Sequence, residues 1–160
     1  MFDAGHPVHN KDEILKKLQT LLALARASNT LVVFVQNNGR PGEIDEARTE
    51  GWLLHPDLPI KDGDLIVQKT ELDAFSKTDF HARLQKLGIR KFIVAGMQSE
   101  YCVAANCKKA HELGYDVVLV MDAHTTYATS EQSAMDIIDD VNEGLKSIVS
   151  FWRVEDLENI

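Results

Sequence analysis

Residues 92–103 read Phe92-Ile93-Val94-Ala95-Gly96-Met97-Gln98-Ser99-Glu100-Tyr101-Cys102-Val103, and their character changes halfway along. Phe92 to Ala95 is a short apolar run of the kind that forms a strand covered on both faces. Gly96 breaks the run. From about Tyr101 the residues Val103, Cys107, Ala110 and Leu113 recur at helical spacing until Gly114 stops them. A strand that feeds a helix in this way is half of a βαβ crossover.

The same alternation continues in both directions. Upstream, Asn10-Lys11-Asp12-Glu13 resembles a capped helix start, and Ile14, Leu15, Leu18, Leu21, Leu22 and Ala25 predict a helix over about 11–28. Strand-like runs follow at Leu31–Val35 and Leu65–Val67, and Phe80, Leu84 and Leu87 mark a helix that ends at Gly88. Downstream come runs at Val117–Met121 and Ile148–Phe151. Between them a helix is expected over about 130–144, with Thr129 and Gln132 placed for a capping box and Met135, Ile138 and Val141 facing inward. Strands separated by helices imply parallel pairing with helices on both faces, an α/β domain of three layers (α/β/α) spanning residues 1–160.

Composition narrows the partners. Against 17 basic residues stand 25 acidic ones, a net charge of −8, which disfavours nucleic acid and anionic membrane surfaces. Cys102 and Cys107 lie five positions apart, the spacing of neither a disulfide framework nor a zinc or redox pair, so a reducing, cytoplasmic setting is expected. No run approaches the roughly 18 apolar residues of a membrane span, and the first residues contain no signal-peptide core. His6, His9, His55, His81 and His111 show no ligand spacing. Residues 37–63 have no period and contain Gly39, Pro41, Gly42, Trp52, Pro56, Pro59 and Gly63. A loop of that length in a compact domain is usually functional. Trp52, Leu53 and Leu54 are too apolar to leave solvated, which points to a lid or a subunit contact.

In parallel sheets ligands bind beyond the carboxyl ends of the strands. That selects Gln36 and Asn37, Lys69, the segment Gly96–Cys102, and Asp122–Thr126. Cys102 would lie in the first turn of a helix, where the positive dipole end stabilises a thiolate. Lys69 at a neighbouring strand end would add a positive charge. Taken singly, Cys102 also reads as an inert buried cysteine and Lys69 as a solvated strand-end lysine. Cys107 shares the apolar helix face and reads as core. His124 fits either a substrate contact or a ring that anchors its own loop. Gln36 is a candidate pocket residue, with Trp52, Phe75 and Tyr101 as further candidates for substrate contact.

Three stretches, VQKTELDAF (67–75), the block 92–103 and GYDVVLVMDAHTT (114–126), together resemble the isochorismatase-like cysteine hydrolases, which include nicotinamidases and N-carbamoylsarcosine amidohydrolases. The resemblance spans about 1–152. It implies Cys102 as nucleophile, Lys69 as the cationic member of an Asp-Lys-Cys triad, a cis Met97–Gln98 peptide, and an oxyanion hole formed by the backbone N–H groups of Gln98 and Cys102. The implied chemistry is hydrolysis of a C–N bond in a small amide, carbamoyl or ureide compound through a thioester. A homo-oligomer with a small-molecule substrate and no cofactor is expected. The nicotinamidase Asp-x-His metal site has no counterpart in Gln36-Asn37-Asn38-Gly39, so no catalytic metal is expected.

The sheet order implied by the resemblance is 3-2-1-4-5-6, and its first strand, ending in Asp-x-Gln, has no counterpart before Met1-Phe2-Asp3. Asp3 falls several residues too late to replace that aspartate. A start upstream of Met1, a shortened chain or a strand donated by another chain would each account for the difference. The first is the expectation: about a dozen further residues, enough for one strand and its turn. The intact mass of the native protein tests it. Two other functions remain open at this point: a non-catalytic binding or scaffold subunit, and a vinyl-ether hydrolase that does not use covalent catalysis.

Overall fold

The computed structural model describes residues 7–157. Asp3 and His6 lie outside the described residues. Five strands and five α-helices alternate except between the first two strands: α1 (Lys11–Ala27), β1 (Val33–Asn37), β2 (Leu65–Lys69), α2 (Phe80–Lys86), β3 (Lys91–Met97), α3 (Ala104–Glu112), β4 (Asp116–Thr125), α4 (Ala134–Leu145), β5 (Ser150–Trp152) and the short α5 (Val154–Leu157). Every pairing is parallel. β1 pairs with β2, and β3, β4 and β5 form a second sheet in that order. Among the described residues no strand pairs with the remaining edge of β1 or of β3, the arrangement expected of the 3-2-1-4-5-6 order without its first strand.

Two apolar clusters hold the layers together. Phe75, Phe80, Leu84, Val103, Cys107, Ala110, Tyr115 and Leu119 are buried together, with Val33 of β1 and Phe92 of β3 packed against them. Phe75 therefore serves the core rather than a pocket wall: its ring lies 5.1 Å from Phe80 and 5.9 Å from Phe92, and it stacks on Tyr115. On the other side Leu18 and Leu21 of α1 cover Val120, Ala123 and Val154. Asp122 pins this layer, accepting from Lys17 Nζ of α1 at 2.5 Å and from the Val154 N–H at the start of α5 at 3.1 Å.

Three local expectations are corrected. Asn10 adopts a left-handed conformation (φ 50°) and makes no side-chain cap to α1. α4 is capped by Ser133, whose hydroxyl accepts the Asp136 N–H, while Thr129 instead caps the preceding turn through the N–H groups of Glu131 and Gln132. The helix therefore starts later, and the face it buries is that of Ala134, Ile137, Ile138 and Leu145. Ile138 is buried, but Met135 is 47% exposed.

The β3–β4 register slips where the site begins. Val94 pairs with Leu119 but Gly96 pairs with His124, so extra residues of β4 are taken up in a bulge that brings His124 and Thr125 beside Gly96 and Met97. Gly96 has φ 119°, a conformation that L side chains rarely adopt, which accounts for glycine at this kink.

Candidate active site

The carboxyl ends of β1 and β2 are in register, with Asn37 beside Lys69 and Gln36 beside Gln68. Paired residues on neighbouring strands present their side chains to the same face. Lys69 is 3% exposed, and its ammonium donates to Asn37 Oδ1 and to the Glu71 carbonyl, each at 2.8 Å. Asn37 Nδ2 in turn donates to Asp45 Oδ2 at 2.7 Å. An ammonium only donates and a carboxylate only accepts, so its two partners determine which way the Asn37 amide faces. Asp45 is buried as well. Among the described residues no carboxylate forms a direct ion pair with Lys69.

The aperiodic loop is folded onto these strand ends. Gln36 Nε2 donates to the Trp52 carbonyl at 2.9 Å, and Trp52 Nε1 donates to Asn38 Oδ1 at 2.7 Å. Gln68 Nε2 donates to Gln36 Oε1 at 3.1 Å. Gln36 thus acts as an anchor for the loop, with both ends of its amide engaged. The backbone closes at Gly39, whose N–H reaches the Asp45 carbonyl at 3.0 Å. A Cβ at Gly39 would overlap Asp45 Oδ1, and one at Gly51 would overlap the Ile44 carbonyl oxygen.

Across from this loop, β3 runs into the turn that carries Cys102. The Met97–Gln98 peptide is cis, as the resemblance implies. Ser99–Val103 then forms a single π-helical turn, closed by the Val103 N–H on the Gln98 carbonyl at 3.1 Å, before α3 begins. Such turns are rare and occur frequently at functional sites. Cys102 is half-buried, and Cys107, one turn further on, is fully buried. Burial pushes the Cys107 thiol up to about 12, which leaves it inert near neutral pH.

Asn106 joins the two halves of the site. Its Nδ2 donates to the Cys102 carbonyl at 2.8 Å, and its Oδ1 accepts the Ala74 N–H at 2.9 Å from the segment that follows Lys69. That segment is held by Asp73, which accepts the N–H groups of Phe75 and Ser76 and the Ser76 hydroxyl. Burial pushes the Asp73 carboxyl up, but these bonds and the charge of Lys109 outweigh it and hold it below the ordinary 3.8. No hydrogen bond or ion pair links Lys69 directly to Cys102 among the described residues.

His124 is turned inward and is 2% exposed. Its Nδ1 meets Ser99 Oγ at 2.8 Å and its Nε2 meets Asn142 Oδ1 at 3.1 Å, so neither ring nitrogen is left for a substrate. Burial depresses its basicity below the ordinary 6.5, against the opposing Asn142 hydrogen bond and Asp122 charge. A neutral ring donates from Nε2 and accepts the Ser99 hydroxyl at Nδ1. His124 therefore braces the turn ahead of Cys102.

Glu100, two residues before Cys102, accepts from Thr126 Oγ1 at 2.8 Å, while its buried Oε2 has no partner among the described residues. Tyr101 is 51% exposed and borders, with Glu100, Lys108, Gln132 and Asp140, a cavity of about 410 Å³ that neither Cys102 nor Lys69 lines. Asp45 and Asn106 are the structural participants that sequence reasoning did not select, and Asn37 was selected without a role. Asn37 was accessible from its strand-end position, whereas the others meet their partners only through folding.

Among the described residues no three His, Cys, Asp or Glu side chains gather closely enough to hold a metal ion, and no helix is long and apolar enough to cross a membrane.

Residues 1–139 match the family described as the isochorismatase domain. A streptothricin hydrolase of Streptomyces noursei is 42% identical over 145 residues, which cover 89% of this chain and 51% of that protein. The chain spans about half the length of the curated relatives it matches. In three dimensions it superposes on an isochorismatase of Pseudomonas putida KT2440 with a TM-score of 0.89 at 24% identity, covering 97% of this chain and 82% of the other. A cysteine hydrolase of Pseudomonas syringae pv. phaseolicola 1448A gives 0.85 at 17% identity, covering 96% and 84%. The fold agrees with that of those neighbours, and the family match covers most of the sequence. The chain belongs to the isochorismatase family.

Proposed function

We propose that this chain is a cysteine hydrolase that cleaves a C–N bond of a small amide, carbamoyl or ureide compound. The observation that carries the reading is Cys102 in a helix-initiating turn directly after the cis Met97–Gln98 peptide, with the neighbouring thiol of Cys107 fully buried. The Cys102 thiol gives up its proton and the thiolate attacks the carbonyl carbon, and the amine leaves with that proton. Water then hydrolyses the thioester and regenerates the thiol. Backbone N–H groups of Gln98 and Cys102 receive the oxyanion, a contribution worth roughly 3 kcal/mol. Lys69 supplies the positive charge that favours the thiolate. The 42% identity to a streptothricin hydrolase supports hydrolysis as the reaction class.

Iodoacetamide labelling followed by peptide mass mapping tests the nucleophile. Cys102 should be alkylated rapidly near neutral pH and Cys107 should not, and Lys69→Ala should slow the labelling of Cys102. Equal, slow reaction of both thiols would overturn the reading. In a screen of small amides for ammonia release, Cys102→Ala should abolish any turnover found; retained turnover would indicate the vinyl-ether type of chemistry instead. The second reading, a binding subunit without catalysis, is favoured by one observation: among the described residues no carboxylate directly contacts Lys69 or Cys102. Ligand binding without turnover would decide for it.

A further inference from the structure

We infer that Asp45 is a positioning residue for Lys69, acting through the Asn37 amide. Burying an ammonium is costly unless its donors are satisfied and a counter-charge is close. Lys69 meets the first condition in part, through Asn37 Oδ1 and the Glu71 carbonyl. The second is met one residue further out, by the buried Asp45 carboxylate on the far side of the same amide. The two bonds, 2.8 Å and 2.7 Å, run in one direction from ammonium to amide to carboxylate, so each polarises the other.

The loop is built to keep that carboxylate in place. Gly39 leaves no room for a side chain beside Asp45, its N–H holds the Asp45 carbonyl at 3.0 Å, and Gln36 and Asn38 clamp the loop at Trp52. A loop eight residues downstream of Asn37 thereby determines where the Lys69 charge sits. The importance of Asp45 for catalysis rests on Lys69 serving Cys102 as proposed above.

Two readouts separate the claims. The first is the Lys69 side-chain signal in protein labelled with ¹³C-lysine, identified by its loss in Lys69→Met. Asp45→Asn should shift and broaden it as the ammonium loses its single orientation; an unchanged signal would overturn the inference. The second is the rate of Cys102 alkylation as a function of pH. Lys69→Met should slow it about tenfold at neutral pH and Asp45→Asn about threefold, both by moving the profile to higher pH. The double variant should match Lys69→Met alone. If Asp45→Asn slows the reaction equally with and without Lys69, Asp45 does not act through Lys69 and the inference fails. If Lys69→Met leaves the profile unmoved while the NMR change occurs, the positioning stands and the proposed role of Lys69 fails instead. Should Asp45→Asn not fold, Gly39→Ala displaces the Asp45 carboxylate while leaving the Asn37–Lys69 contact in place, and carries the same outcomes.

Discussion

His124 shows how little a residue's type says about its role until its partners are known. A histidine just past a strand end, in a hydrolase family, invites a catalytic or substrate-binding reading. Here both nitrogens are consumed by Ser99 and Asn142, and the ring is buried and held neutral. Because the folded ring takes up its proton at lower pH than the unfolded chain, its contribution to stability is fully present above 6.5. That contribution is lost as the pH falls through the lower value of the folded ring. Urea melts across the mildly acidic range should show this decline, and His124→Gln should flatten it. The same variant should cost about 1–3 kcal/mol at neutral pH, since Ser99 and Asn142 keep only one well-placed partner between them. Cys102 is a contrasting case. Its position after the apolar run and Gly96 marks it as a nucleophile candidate, the cis peptide that the family resemblance implies lies just ahead of it, and the π-helical turn that carries it was not legible in the sequence.

At the level of elements, the segment between β1 and β2 carries information that periodicity could not supply. It has no helical or strand period because its backbone is organised by side chains: Gln36 on the Trp52 carbonyl, Trp52 on Asn38, and Asn37 on Asp45. Gly39→Ala would push the new Cβ into Asp45, so we expect a loss of about 1–3 kcal/mol and a red shift of tryptophan emission as the clamp at Trp52 opens. Gly63→Ala meets no neighbour and would instead test the left-handed turn at φ 96°. The other end of the loop is fastened by Arg26 of α1 on Asp64, at 2.7 Å. Burial pushes the Asp64 carboxyl up, but the Lys61 N–H and the Arg26 guanidinium outweigh it and hold it below 3.8. The stabilisation is therefore present above 3.8 and lost as the pH falls through the lower folded value. Asp64→Asn should cost on the order of 1 kcal/mol at neutral pH and nothing in strong acid, as thermal melts at the two conditions would show. α4 makes the same point on a smaller scale: Thr129 and Ser133 are equally good caps by type, and packing of Ala134, Ile137, Ile138 and Leu145 into the core is what leaves Met135 facing solvent.

Across the whole molecule, stability is distributed unevenly. β4 is paired on both sides over Val118 and Leu119 and is buried from Val117 to Val120, whereas β1 among the described residues pairs with β2 alone and leaves Val35 exposed. Ile66 and Ile93 are exposed apolar strand residues too. Unpaired parallel edges with apolar side chains are sites for association with another strand. Amide hydrogen exchange should find β4 the slowest element and β1 faster by roughly a hundredfold or more, a difference of a few kcal/mol in opening free energy. Equal protection of the two would show that the edge of β1 is covered in solution. Sedimentation equilibrium would show whether a second copy does the covering, as the homo-oligomer expectation requires.

The sequence by itself determined the element order and the parallel α/β class, because apolar periodicity and stop residues act over a few positions and are written locally. It also placed Cys102 in the first turn beyond a strand end, a position open to a nucleophile or an inert cysteine, and the family resemblance favoured the nucleophile. Tertiary structure decided the rest. Phe75 went to the core because three aromatic rings from other elements surround it. Asn106 became a bridge between the Cys102 turn and the Lys69 segment, and Asp45 became the distant counter-charge of Lys69. A polar side chain's role is set by the donor or acceptor that folding places within 3 Å or so of it: Asn37 acquires Lys69 only when β1 and β2 lie side by side, and Asp45 acquires Asn37 only when the loop folds back at Gly39.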